Sequence, residues 1–165
     1  MKFKARTWKV GDNINTDLIL PNRAFYLTPE EQVAYVFSAN RPGWSEQVQK
    51  GDILIGGKNF GMGSSRPAAR SLKNLGLACL VAPYINGLFF RNAVNFAFPA
   101  LECPGVHAAF AEGQRASVNV DDFTVCNEDG VVLQARPVPK NLLKLMLGGG
   151  IFPVLERDGM IASAS

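Results

Sequence analysis

Histidine is almost missing from this chain: His107 is the only one in 165 residues. It is the only base a serine triad could use, and the GxSxG elbow that presents such a serine is absent. Cysteine is scarce as well. Cys79, Cys103 and Cys126 form no CxxC pair, and their wide spacing matches neither a metal knuckle nor a disulfide framework. An odd count suits a reducing compartment, and all three read as small buried apolar residues. Charge of one sign is lacking too. The net charge is +3 and no long run of like charges occurs, which leaves nucleic-acid or membrane-surface binding little support. No apolar run approaches the length of a membrane span. The basic start MKFKARTWKV lacks the apolar centre of a signal peptide, so a cytoplasmic location is expected.

What is present is an ordinary globular composition, 47 % hydrophobic and 19 % charged, enough for one good core. FKARTWKV (3–10) alternates as a strand, GDNINTD (11–17) is a polar turn, and LILP (18–21) is a short buried piece closed by Pro21. PEEQVAYVFSA (29–39) predicts a helix, opened by a proline and two acids. GDILIGG (51–57) and LACLVA (77–82) predict buried strands flanking a helix over 67–75, with Gly76 as its terminator. That order is the βαβ pattern of a parallel sheet. A helix over 85–95 and a strand over 98–102 follow. From Ala116 short β-type runs separated by polar turns predict a meander, and 139–149 a closing helix. The expectation is a single α/β domain over residues 1–165 with a β-rich second half.

Between the two parallel strands lies GGKNFGMGSSRPAAR (56–70). A strand that enters a glycine loop and then a helix leaves free backbone N–H groups where an anion is favoured. Ser64 or Ser65 could cap the helix, Pro67 fits its first turn, and Arg66 adds a planar fork suited to carboxylate or phosphate. The dinucleotide fingerprint is incomplete, because Arg66 stands where its third glycine belongs, and no GK[ST] of a P-loop is present. The residues by themselves leave two readings, an anion site or a helix start with no ligand.

GDNINTDLILP (11–21), followed by GGKNFGMGSSR (56–66) and LVAPYINGLFFRNAVNFAFPALE (80–102), resembles the small subunit of the isopropylmalate dehydratase group. It is similar in the same way to the mobile fourth domain of aconitase. The resemblance, which covers nearly the whole chain, implies a single swivelling β/β/α domain. It further implies a hydro-lyase small subunit of leucine biosynthesis, which isomerises or dehydrates a substituted malate and is inactive without its large subunit. In that family a [4Fe-4S] cluster on the large subunit is the Lewis acid, so no cofactor is expected in this chain. By the resemblance Ser64 is the catalytic base. Ser65, Arg66 and Arg23 bind substrate, and Tyr26 and Leu27 read its side chain.

Asp12, Asn15, Thr16 and Asp17 read as turn-forming residues, and Asn59, Arg91 and Asn92 as braces. The chain departs from the family once: where relatives continue GSSR with Glu-His, it has Pro67-Ala68. The departure suggests a divergent branch. It leaves open a different alkylmalate or a homoaconitate-type substrate, and also a non-catalytic dicarboxylate-binding module.

Overall fold

The computed structural model describes residues 1–64 and 66–163, and its organising element is the alternating N-terminal strand. Two half-sheets of different character meet on this β1 (Lys2–Lys9). Its Thr7–Lys9 pair in parallel with β2 (Ile53–Ile55), which is followed outward by β3 (Cys79–Ala82) and β4 (Ala100–Glu102), all parallel. Its Lys2–Arg6 run antiparallel to β5 (Arg115–Asn119), and the meander continues through β6 (Thr124–Asn127) and β7 (Val132–Gln134). The sheet order is β4-β3-β2-β1-β5-β6-β7.

Burial on both faces explains why β2 and β3 are unbroken apolar runs. Leu54, Leu80 and Ala82 pack on one side, and Ile53, Ile55, Cys79 and Val81 on the other. The short α1 (Thr16–Ile19) and α2 (Pro29–Gln32) precede the principal helices, α3 (Ala68–Leu75) and α4 (Gly87–Asn95). Leu72 of α3 and Phe89 and Ala93 of α4 join the Leu54 side. Then come α5 (Val106–Ala109), α6 (Lys140–Leu147) and α7 (Ile151–Arg157), the last unforeseen by periodicity. Among the described residues no helix is long and apolar enough to cross a membrane.

The helix expected over 29–39 is much shorter. A capping box opens it, with Thr28 Oγ1 accepting from the Glu31 amide and Glu31 Oε2 from the Thr28 amide. After Gln32 the chain tightens into a 3₁₀ turn, and Phe37 adopts φ +55°. Phe37 donates its N–H to the Ile19 carbonyl at 3.0 Å, and Val36 and Phe37 are buried. Packing of these two side chains against the first loop outweighs helical propensity, which is weak in so short a segment. A second departure is Cys126, which is half-buried, whereas Cys79 and Cys103 are buried.

One buried carboxylate ties β1 to the turn before β2. Asp52 Oδ2 accepts from Arg6 Nη2 at 2.7 Å, Trp8 Nε1 at 2.8 Å and the Gln49 amide at 2.9 Å. Burial opposes its charge, but these donors outweigh burial and hold its carboxyl below the ordinary carboxylate range. A depressed folded-state pKa contributes stability above the unfolded value, and that contribution fades as pH falls through the folded one. Asp52→Asn is therefore expected to cost about 2 kcal/mol at neutral pH. The variant's denaturation midpoint should also lose part of the acid dependence seen in the native chain below about pH 5. If the two proteins lost stability equally between about pH 7 and about pH 3, the role would be absent.

Candidate active site

Three loops leave the carboxyl ends of the parallel strands, where ligands gather in open α/β sheets. The chain after β2 threads between the other two. On one side Asn13 N donates to the Lys58 carbonyl at 2.8 Å, Gly61 N to that of Ile14 at 2.7 Å, and Thr16 N to that of Met62 at 2.9 Å. On the other side Phe60 N donates to the Tyr84 carbonyl at 3.2 Å and Asn86 N to the Phe60 carbonyl at 2.8 Å. GDNINTD and GGKNFGMGS are thus one paired structure, although they are distant in sequence. Their polar residues brace it: Asp12 Oδ1 accepts from the Lys58 amide, Asn13 Oδ1 from Asn59 Nδ2, and Asn15 caps α1 through the Leu18 amide.

Gly61 is required at the centre of this threading. It has φ +82°, and a Cβ there would lie 2.3 Å from Cβ of Phe89 on α4. Gly61→Ala is expected to destabilise the chain by about 3 kcal/mol, combining left-handed strain with overpacking. A melting curve within a degree or two of the native one would contradict this.

The threading ends at Ser64, which is exposed. Its carbonyl accepts from Thr16 Oγ1 at 2.9 Å and from the Arg66 amide at 3.0 Å. Its Oγ accepts from Arg66 Nε at 3.1 Å and lies 3.5 Å from Thr16 Oγ1. The Arg66 side chain is only 12 % exposed and its fork is closely held. Nε also meets Asp17 Oδ1 at 2.8 Å, Nη1 donates to the Leu20 carbonyl at 3.2 Å, and Nη2 to Asn22 Oδ1 at 2.5 Å. The guanidinium carbon lies 6.0 Å from the centre of the Phe25 ring. An open hollow of about 460 Å³ is lined by Asn22, Phe25, Tyr26, Ser64 and Arg66.

Ser64, Arg66 and Tyr26 therefore converge, and Ser65 lies outside the described residues. Arg23 is adjacent in sequence but turns away: Nη2 donates to Ser38 Oγ at 2.8 Å and its guanidinium lies 5.2 Å from the centre of the Tyr35 ring. Leu27 is half-buried and does not line the hollow. The serine cap differs from expectation, because Pro67 occupies the capping position of α3 and no side chain caps it. The Ser64 hydroxyl faces Arg66 and Thr16 instead. Asn22 and Phe25 went unread in the sequence, and Asp17 was read only as a turn former. Their link to Arg66 is tertiary, and the one hint was their place in the segment that carries Arg23 and Tyr26.

The remaining candidates for chemistry lie in the framework. His107 Nε2 is 2.9 Å from the Val10 carbonyl, which can only accept, so this nitrogen carries the proton and braces the end of β1. Burial pushes the Cys79 thiol up strongly and the Cys103 thiol up to about 11, unfavourable for the thiolates that bind iron. Among the described residues no three His, Cys, Asp or Glu side chains converge as a metal site.

A family model described as the aconitase C-terminal domain matches residues 11–105. The chain is 41 % identical over 162 residues to the 3-isopropylmalate dehydratase small subunit 1 of Methanopyrus kandleri, covering 95 % of this chain and 94 % of that protein. It is 38 % identical over 158 residues to the isopropylmalate/citramalate isomerase small subunit of Methanocaldococcus jannaschii, covering 94 % of each. A crystal structure of 3-isopropylmalate dehydratase from the latter organism superposes with a TM-score of 0.91 at 23 % identity. The superposition covers 97 % of this chain and 96 % of that one, and it establishes the shared fold.

Proposed function

This chain belongs to the aconitase C-terminal domain family, and we propose that it is the small subunit of a hydro-lyase that isomerises a substituted malate by removing and re-adding water. The observation that carries the proposal is the Ser64 hydroxyl, exposed beside a hollow and 3.1 Å from the Nε of a fixed guanidinium. A serine is a poor base near neutral pH. A cation donating to its oxygen stabilises the alkoxide without reorganisation, which makes abstraction of a proton alpha to a carboxylate feasible.

Ser64 is the base in this reading. Arg66 has one N–H on each terminal nitrogen beyond those given to Leu20 and Asn22, and it turns these to a substrate carboxylate. Ser65 adds a hydroxyl to substrate binding. Arg23, on the turn that bears Asn22, supplies a second cation on release from Ser38. Tyr26 reads the substrate side chain from the wall of the hollow, Leu27 takes part from behind it on the same turn, and Asp17 and Thr16 hold the base and the clamp in register.

This chain's cysteines are unsuited to a cluster, and the large subunit carries the [4Fe-4S] group that activates the leaving hydroxyl. The large subunit also closes the open hollow over the exposed Phe25, Tyr26 and Met62. The chain acts as one domain, in the cytoplasm, within leucine biosynthesis.

Co-expression with an iron–sulfur large subunit tests the proposal. The isolated chain should be inactive, and the cluster-loaded complex should dehydrate 3-isopropylmalate or citramalate, followed by absorbance of the unsaturated diacid. Turnover of another alkylmalate or of a homoaconitate-type acid instead would change the substrate and keep the assignment, whereas a loaded complex inert toward all of these would leave a dicarboxylate-binding module and overturn it.

A further inference from the structure

Gln32 ends α2 with only 3 % exposure, and the chemistry above makes no use of it. A buried amide must be satisfied or it destabilises the fold. Its Nε2 donates to the carbonyls of Ala24 and Leu27, both at 3.3 Å, and its Oε1 accepts from Arg70 Nη2 at 3.3 Å. Those two carbonyls bracket Phe25 and Tyr26, the aromatic pair beside Ser64. The turn also closes on its own backbone, with Phe25 N donating to the Asn22 carbonyl at 3.0 Å and Leu27 N to that of Ala24 at 3.1 Å, and Gln32 is the side chain that ties its two ends to α2. Phe25 is 54 % exposed and Tyr26 93 %, and they touch each other edge to face at 5.6 Å. Arg70 stands on α3 with its guanidinium 5.6 Å from the centre of the Phe96 ring. Because a guanidinium only donates, it fixes which end of the Gln32 amide faces it and turns the NH₂ toward the carbonyls.

We propose that Gln32, oriented by Arg70, is a positioning residue that sets the turn over 24–27 and through it the selectivity for the substrate side chain. The inference rests on the hollow beside Ser64 being the substrate site. Gln32→Met keeps the length without the hydrogen bonds. Gln32→Glu keeps a partner for Arg70 but offers only acceptors to the two carbonyls.

In the cluster-loaded complex, both variants should raise amide hydrogen exchange over 24–28 by about tenfold. Both should also change the ratio of kcat/KM for 3-isopropylmalate and citramalate by about fivefold, chiefly through KM, with kcat within about twofold of native. Arg70→Lys, which still donates to Oε1, should keep the native ratio, and Arg70→Met should not. The Arg70 pair carries the test if Gln32→Met does not fold. Unchanged exchange would show that Gln32 does not hold the turn. Raised exchange with an unchanged ratio would show that the turn does not read the substrate. Either result overturns the inference while Ser64→Ala remains inactive. Native kinetics in both Ser64→Ala and Tyr26→Ala would instead refute the site, and the inference with it.

Discussion

Ser64→Ala, assembled with a cluster-loaded large subunit, is expected to turn over about a thousandfold more slowly than the native complex, in the range for loss of a positioned general base. The loss should fall on kcat. Among the described residues the Ser64 side chain meets only Arg66 and Thr16, and the hydrogen bonds that shape its loop use backbone or other side chains, which alanine retains. Substrate affinity and complex assembly should therefore stay near native. Turnover within a few-fold of native, with the cluster intact by its visible absorbance, would remove Ser64 as the base.

Arg66→Lys should lower kcat/KM by about a hundredfold, divided between KM and kcat. The guanidinium spans four partners from three nitrogens: Asp17 and Ser64 from Nε, the Leu20 carbonyl from Nη1, and Asn22 from Nη2. An ammonium is a single point of charge and cannot reach all of these while presenting a pair of N–H groups to a carboxylate. KM rises because the clamp is lost. The fall in kcat comes from losing the donor that supports the Ser64 oxygen. That division separates this variant from Ser64→Ala. Native KM and native kcat together would mean that Arg66 serves only to tie α1 to the serine loop.

Asp17 bears on both results. Its carboxylate, 58 % exposed, sits on Arg66 Nε, while the guanidinium is mostly covered. In the proposed site a substrate carboxylate would meet an arginine already oriented by a solvent-screened partner, with the outer edge of the fork left to bind it. Such preorganisation fits a site that must hold a diacid in one pose, because little side-chain freedom remains to be lost on binding.

Much of the framework was legible in the chain. β2 and β3 showed as unbroken apolar runs because both of their faces are covered. Gly76 marked the end of α3 because its φ of +109° suits a residue without Cβ. The helix over 29–39 was misjudged because the Phe37 amide finds its acceptor in Ile19, an interaction no local window contains. The same limit applied at the site. Ser64 and Arg66 stood out in a glycine loop, but Asp17, Asn22 and Phe25 meet them only after the loop beyond β1 pairs with the loop beyond β2.

By itself the sequence determined the parallel half of the sheet and the glycine-bearing loop, since both reside in local composition and spacing, and its motifs carried the resemblance to the family. Only the tertiary structure decided which way Arg23 faces and what occupies the Arg66 fork. Those outcomes depend on hydrogen-bond partners far apart in the chain. A side chain's own neighbours in sequence do not choose among such partners; for Arg66 the pairing of the loop beyond β1 with the loop beyond β2 does.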